Sequence, residues 1–195
     1  MQRLLTTPFE DLFSRIYYLG PLRDYLRRRY LWTGEPPEDV GQRGELAISA
    51  LLASRSREKI STIERRVASW LRELELIYDF RLQAIAEEYQ VRVKRTPQAS
   101  EVLITDVDFG VSQILPVLCY YAPVGSIIIL EQPEIHLHPA VQAGLADVLI
   151  DAINTRKVQI ILESHSEHLL RRLQRRVAEQ QLASALPASA NYRNL

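Results

Sequence analysis

The sequence predicts an α/β domain in which parallel strands are flanked by helices. Two short runs rich in β-branched residues, 126–130 and 158–162, are separated by a segment of helical length that begins at Pro139. Proline is favoured in the first turn of a helix, so this order indicates a βαβ unit. Neither run contains glycine or proline, which is typical of strands in a sheet that is covered on both faces.

The composition is that of one globular domain. The chain has 195 residues, of which 47% are hydrophobic and 25% are charged, with 24 basic and 24 acidic side chains. These values exclude collagen, disordered tails and disulfide scaffolds, and the zero net charge argues against a general polyanion binder. The single cysteine, Cys119, lies in an apolar run, which predicts a buried reduced thiol in a cytoplasmic protein.

The first half of the chain is predicted to be helical and hairpin-forming. Residues 7–45 are dense in glycine and proline, which favours loops around short helical pieces. Apolar residues recur at helical spacing after residue 46, and Ser61 and Glu64 form an S-x-x-E capping pattern, so we expect a long amphipathic helix over 56–77. Residues 89–95 and 101–106 alternate in polarity, which predicts a hairpin.

The second half predicts helices over 112–121, 139–155 and 166–181 around the two strands. Residues 111–130 have the length of a membrane span, but Gln113, Pro116, Pro123 and Gly125 interrupt them. We therefore interpret this stretch as a helix followed by a strand and predict no membrane partner.

Polar residues follow each of the two predicted strands. The first strand is followed by Glu131, Gln132, Glu134, His136 and His138, and the second by Glu163, His165 and His168. All four histidines of the chain belong to these two clusters. The carboxyl ends of neighbouring parallel strands open at the same edge of a sheet, so both clusters can meet around one ligand.

These motifs resemble those of a known family. A strand ending in acidic residues, then Pro-Glu-x-His-Leu-His-Pro, then a strand ending in Ser-His-Ser resembles the Walker B, D-loop and switch-histidine segments of ABC-type ATPases. The resemblance is to the RecF/SMC/OLD-like group, including bacterial AAA-domain ATPases with a C-terminal domain of unknown function. Residues 105–113, TDVDFGVSQ, are similar to that group's signature loop, and residues 18–23, YLGPLR, are also similar. The resemblance covers residues 16–180 and implies a P-loop-NTPase-like fold with ATP and Mg²⁺ as cofactors.

The resemblance also implies roles for residues after the strands. Glu131 would hold the magnesium ion that bridges the nucleotide phosphates, and His165 would contact the terminal phosphate. Gln132 falls where many such ATPases have the glutamate that polarises the attacking water. An amide orients water but accepts no proton, so hydrolysis would be slow or would use another base, such as Glu134.

The signature-like loop is implied to act across a subunit interface. Gly110, Ser112 and Gln113 would present backbone N–H groups and a hydroxyl to a nucleotide held by a second subunit. This implies a homodimer-type ATPase partner.

The sequence contains no G-x-x-x-x-G-K-[ST] loop. We therefore expect the C-terminal half of an ATPase, as a truncated or split gene product, acting with a P-loop-bearing chain. Because this loop is absent and Gln132 replaces the glutamate, ATP hydrolase activity is not assigned to the isolated chain. The predicted organisation is an N-terminal loop, helix and hairpin segment over 1–100, an ATPase core half over 101–182 and a tail over 183–195.

Two alternatives stay open. His136-x-His138 with the neighbouring glutamates, His165 and His168 is the residue set of a metal-dependent hydrolase. The chain is also compatible with a non-catalytic, ATPase-derived interaction module, in which helix 56–77 and four arginines dock a partner or nucleic acid. Those arginines are Arg171, Arg172, Arg175 and Arg176, and the acidic residues among them favour a solvated face.

Overall fold

The structure is a computed structural model that describes residues 13–55, 62–120 and 123–185. Seven strands and five helices are distinguished there, together with one 3₁₀ turn at Ile104–Asp106. The strands are β1 (Ile16–Leu19), β2 (Tyr30–Leu31), β3 (Asp79–Ile85), β4 (Glu88–Lys94), β5 (Val102–Leu103), β6 (Ile127–Glu131) and β7 (Gln159–Glu163). The helices are α1 (Ala47–Arg55), α2 (Thr62–Glu73), α3 (Phe109–Cys119), α4 (Pro139–Arg156) and α5 (Glu167–Ala185).

A three-stranded parallel sheet in the order β1-β6-β7 forms the centre of the predicted α/β unit. Strands β6 and β7 are joined by α4, and they pair in register from Ile127 with Gln159 to Glu131 with Glu163. The predicted fold class, parallel strands flanked by helices, is therefore confirmed. The ends of β6, β7 and α4 each lie within one residue of the predicted ends.

The first strand of this sheet lies where no strand is predicted. The glycine and proline content of residues 7–45 predicts loops around short helical pieces, and this prediction is wrong for Ile16–Leu19, which pairs in parallel with β6. The strand is only four residues long and stops before Gly20-Pro21. Its partner lies in a distant part of the chain, so no local pattern marks it as a strand.

The second sheet is antiparallel, in the order β2-β4-β3, with β5 paired to β4. The predicted hairpin is confirmed, because Arg92 and Val93 of β4 pair with Leu103 and Val102 of β5. The longer pairing of β4 is with β3, over seven residues, and the sequence analysis did not predict that strand. Only two of its residues, Phe80 and Leu82, are buried, which is too few for an alternating apolar pattern to mark a strand in the sequence.

Within the predicted long helix over 56–77 the structure describes α2, and a separate helix, α1, precedes that range. Residues 56–61, including the predicted capping Ser61, lie outside the described residues, as do Tyr121 at the end of the predicted helix 112–121 and residues 186–195 of the predicted tail. Helix α2 ends at Glu73 rather than at residue 77, and Glu75 adopts a positive φ of 56° after it.

One hydrophobic core joins the two sheets and the helices. Its fully buried members include Leu19 of β1, Leu71 of α2, Ile114 of α3, Leu130 of β6 and Leu145 of α4. Burying each such side chain contributes about 1.5–3 kcal/mol relative to leaving it exposed.

Cys119 lies in this core, as the sequence analysis expects, and its burial raises the pKa of the thiol. Within the described ranges, no helix combines the length and the apolar character needed to cross a lipid bilayer.

Candidate functional site

The carboxyl ends of β6 and β7 bring the two polar clusters to one edge of the sheet. Glu131 and Glu163 are direct register partners at the last positions of the two strands. The backbone N–H of Gln132 donates to the carbonyl oxygen of Glu163 at 2.8 Å, and its side-chain Nε2 lies 3.4 Å from Glu163 Oε1. The prediction that the two loops meet is therefore confirmed.

Glu131 is held by a tyrosine of the neighbouring strand. The hydroxyl of Tyr18 in β1 donates a hydrogen bond of 2.9 Å to Glu131 Oε2. That hydrogen bond is the main cause of the raised pKa of Tyr18, with burial and the negative charges of Glu131 and Glu163 adding to it. The tyrosine therefore stays protonated and keeps the carboxylate at the sheet edge.

His165 has a fixed backbone and an exposed ring. Its backbone N–H donates to Glu134 Oε1 at 2.7 Å, which joins the two strand-end loops. The imidazole is 80% exposed, and its Nε2 lies 4.0 Å from Glu163 Oε1. The ring can therefore meet a ligand from solvent while its main chain is anchored.

Glu134 and Arg23 are two buried charges beneath this site, with exposed fractions of 6% and 4%. The guanidinium of Arg23 lies 3.4 Å from the carbonyl oxygens of both Glu131 and Pro133. Burial lowers the pKa of Arg23 to about 10, while the negative charge of Glu134 acts in the opposite direction. In the described part of the chain, Arg23 Nε and Glu134 Oε2 have no hydrogen-bond partner. Buried charges of opposite sign offset one another's desolvation, so this pair supports the loop after β6.

The loop between β6 and α4 turns tightly. Gln132 and His136 have φ angles of 42° and 60°, a left-handed conformation that costs energy for residues other than glycine. His138 ends the loop as the N-cap of α4, and its Nδ1 accepts a hydrogen bond from the N–H of Ala140 at 3.3 Å. His138 therefore has a structural task, as a residue placed before Pro139 is expected to have.

The signature-like loop lies next to this turn, at the start of α3. A Cβ atom on Gly110 would be 3.5 Å from the carbonyl oxygen of His136, so the two backbones approach closely. The side chains of Ser112 and Gln113 are buried, and the Ser112 hydroxyl donates to the carbonyl oxygen of Phe109 at 2.6 Å. The accessible part of this end of α3 is therefore its first residues, and not the side chains of Ser112 and Gln113.

Phe109 belongs to a row of three rings that the sequence analysis did not identify. Its ring centroid lies 5.2 Å from those of both Tyr25 and His136. The row joins the N-terminal loop, the signature-like loop and the loop after β6. Because its members come from three separate segments, no sequence pattern could have revealed it.

Several predicted surface features are accounted for by neighbouring charges. Arg172 and Arg176 of α5 both bind Asp147 of α4, while Arg171 pairs with Glu167 and Arg175 with Glu179. This arrangement favours the interpretation of these arginines as a solvated face. Across residues 13–55, 62–120 and 123–185, no group of three or more His, Cys, Asp or Glu side chains could hold a metal ion. In this part of the chain, the metal-hydrolase alternative therefore lacks the set of ligands that it requires.

Tyr18, Arg23 and Glu163 are the site residues to which the sequence analysis assigned no role in the implied ATPase chemistry. A signal existed for the first two, since they belong to the segment YLGPLR that resembles the same ATPases. Glu163 precedes the Ser-His-Ser motif and could have been noticed as the counterpart of Glu131 at the end of a parallel strand.

Comparisons with known proteins provide a family match and two structural similarities. A sequence model described as the AAA ATPase domain matches residues 49–170, more than half of the chain. The search of curated proteins found no match. One similar structure comes from work on ATP-driven dimerization and DNA-stimulated activation of SMC ATPases, with a TM-score of 0.43 and 11% identity over 65% of this chain and 93% of that chain. Another is the Smc head domain of Pyrococcus furiosus with an extended coiled coil, bound to the C-terminal domain of ScpA. It has a TM-score of 0.44 and 11% identity, and the match covers 67% of this chain and 36% of that chain.

Proposed function

Because the chain belongs to the AAA ATPase domain family, we propose that it forms one part of a composite ATP site, completed by a chain or subunit that carries a P-loop. The observation that carries this proposal is the meeting of Glu131, Gln132 and His165 where two parallel strands end. Ligands of open α/β sheets bind at this edge.

The need for a second part follows from the phosphate chemistry. The sequence has no G-x-x-x-x-G-K-[ST] loop, which in P-loop proteins supplies the N–H groups and the lysine that hold the phosphates. The strand-end residues contribute carboxylates, an amide and an imidazole instead. These groups suit a metal ion and a water molecule better than they suit the phosphate chain itself.

An exposed sheet face supports the same proposal. Gln159, Ile161 and Glu163 of β7 are exposed on one face, and Ile161 retains 57% of its surface. The register places Ile161 beside the half-buried Ile129 and Tyr18, so this open sheet face continues across all three strands and is most exposed at β7. The strand sequences predict coverage on both faces, as parallel sheets almost always have. We therefore propose that the P-loop-bearing part packs against this face and covers it.

Within the composite site, Glu131 would hold Mg²⁺, because a carboxylate at a strand end is the hard oxygen ligand that this ion prefers. The ion, when bound, would neutralise charge on the nucleotide phosphates. Tyr18 would orient Glu131 through the hydrogen bond to Oε2. The exposed His165 ring would contact the terminal phosphate.

The signature-like loop would serve a nucleotide held by another subunit. Ser112 and Gln113 are buried, so the contact would come from the backbone around Gly110 at the start of α3. The homodimer-type arrangement implied by the sequence resemblance stays part of this proposal.

The test is a complex reconstituted from this chain and a P-loop-bearing polypeptide of the AAA ATPase family that binds it. We expect Glu131→Gln and His165→Ala to lower steady-state ATP hydrolysis by about 100-fold or more, the scale on which one group that stabilises transition-state charge contributes. The matched control is His168→Ala, an exposed histidine one turn further along, which should leave turnover within about twofold.

Circular dichroism and thermal unfolding of each variant check that the chain remains folded. Unchanged turnover in both Glu131→Gln and His165→Ala would contradict the proposal. Stoichiometric zinc in the purified chain would instead favour the metal-hydrolase alternative.

A further inference from the structure

The composite site proposed above contains no proton acceptor at position 132, where Gln132 replaces the usual glutamate. We propose that Glu163 is the general base for the attacking water, an inference that rests on that composite ATP site. Glu163 would thus be a catalytic residue contributed by the neighbouring strand of the sheet.

Three observations place Glu163 close to where the attacking water would lie. It is the register partner of Glu131, so the two carboxylates begin from adjacent strand ends. Its Oε1 lies 3.4 Å from Gln132 Nε2 and 4.0 Å from His165 Nε2. The carboxylate therefore lies between the residue that would orient the water and the residue that would contact the terminal phosphate.

Exposure separates Glu163 from the other available carboxylate. The Glu163 side chain is 56% exposed, so water reaches it directly. Glu134 is only 6% exposed, and its Oε1 accepts the backbone N–H of His165 at 2.7 Å. That oxygen is therefore already engaged as a hydrogen-bond acceptor within the fold. Glu134 is a positioning residue for His165, and Glu163 is the carboxylate that the attacking water can reach.

The amide of Gln132 and the carboxylate of Glu163 would together perform the two tasks of a single glutamate, which are to orient the water and to accept its proton. The amide N–H group donates to Glu163, and the amide oxygen of the same side chain can accept a hydrogen bond from water. Gln132 would orient the water and Glu163 would take its proton.

The step is balanced with these groups. The water oxygen forms a bond to the terminal phosphorus, and the bond between that phosphorus and the bridging oxygen of ATP breaks. The electron pair of the broken bond stays with the ADP oxygen. The proton lost by the water moves to the carboxylate of Glu163 and later returns to solvent.

The experiment compares variants of the reconstituted complex by steady-state ATP hydrolysis and by equilibrium binding of a fluorescent non-hydrolysable ATP analogue. We expect Glu163→Gln to lower turnover by about 100- to 10,000-fold, the range for loss of general-base catalysis, with analogue affinity unchanged within about threefold. The matched control is Glu167→Gln, an exposed glutamate that pairs with Arg171, which should retain turnover within about twofold.

A second substitution separates a chemical role from a structural one. Adding Gln132→Glu to Glu163→Gln returns a carboxylate to the attacking water, so we expect at least a tenfold recovery of turnover, a small part of the general-base contribution. If Glu163 had a merely structural role, Gln132→Glu would raise turnover by the same factor with and without Glu163→Gln. Failure of this rescue, or full activity in Glu163→Gln, would overturn the assignment.

The Glu134→Gln variant tests the competing carboxylate. A loss in Glu134→Gln that Gln132→Glu restores, with full activity in Glu163→Gln, would transfer the role to Glu134. A wild-type complex that binds no ATP analogue would overturn the composite site and this assignment together. Binding and turnover that do not depend on Glu163 would overturn this assignment alone.

Discussion

Three glutamates of the candidate site have identical side chains but different surroundings. Glu131 accepts a hydrogen bond from Tyr18, Glu134 is buried against the main chain of His165, and Glu163 extends into solvent. These are the surroundings from which we propose ion binding, positioning and proton transfer, respectively. The sequence identified the first two glutamates as candidates, but the different roles proposed for them rest on burial and hydrogen bonding.

Asp147 of α4 provides a residue-scale prediction outside the site. It accepts hydrogen bonds from Arg172 and Arg176 of α5, and its side chain is 20% exposed. Removing its charge with Asp147→Asn should lower the free energy of unfolding by about 1–3 kcal/mol at pH 7, as for hydrogen bonds to charged groups. Urea unfolding measures this change, and equal stability of the variant would contradict the prediction.

The effect should depend on pH in a definite direction. Burial alone would raise the pKa of Asp147, but the hydrogen bonds and charges of Arg176 and Arg172 outweigh it and lower the pKa below the ordinary 3.8. The pair therefore stabilises the fold fully above that ordinary value, and the contribution is lost as the pH falls through the lower folded-state pKa. The difference between wild type and Asp147→Asn should accordingly shrink on acidification below pH 3.8.

At the scale of elements, the start of α5 depends on a serine that also contacts α4. Ser166 Oγ accepts the N–H of Leu169 at 3.1 Å and donates to Gln142 Oε1 at 2.6 Å. This hydroxyl therefore caps α5, the helix that directly follows the exposed histidine, and joins it to its neighbouring helix.

We expect Ser166→Ala to destabilise the chain by about 0.5–2 kcal/mol, because it removes an N-cap and leaves a partly buried amide short of a partner. Thermal or urea unfolding gives the value. The control is Ser69→Ala within α2, where an exposed serine donates to Glu73 and alanine has the higher helix propensity. A loss for Ser69→Ala as large as that for Ser166→Ala would rule out the capping explanation.

Elements also differ in how far local sequence predicts them. Helix α4 and strands β6 and β7 were predicted closely, because proline at a helix start and dense β-branched runs are local signals. Strands β1 and β3 were not predicted. Each becomes a strand through a partner that supplies its hydrogen bonds, and the four residues of β1 pair with a strand from the other half of the chain.

At the scale of the whole molecule, the open sheet face of β1, β6 and β7 is expected to be a contact surface. We predict that Ile161→Lys changes the free energy of unfolding of the isolated chain by less than about 0.5 kcal/mol, because Ile161 is 57% exposed and lysine is common on edge strands. The same change should weaken binding of the proposed P-loop-bearing chain by about tenfold or more, since a charge would then be buried at the proposed interface.

Isothermal titration calorimetry with the two purified chains measures this affinity. The matched control is Ile153→Lys in α4, which is 41% exposed and lies on another element. Equal affinities for the wild type and Ile161→Lys would show that the partner does not use this face.

The amino-acid sequence determined the βαβ unit, the order of the motifs and the absence of a phosphate-binding loop, because spacing, proline and residue type are properties of neighbouring positions. Only the tertiary structure decided that Glu134 is buried while Glu163 is exposed, that β1 joins the parallel sheet, and that the described residues leave one face of this sheet partly open. Burial and strand pairing depend on side chains from distant segments, so no local pattern could have assigned them.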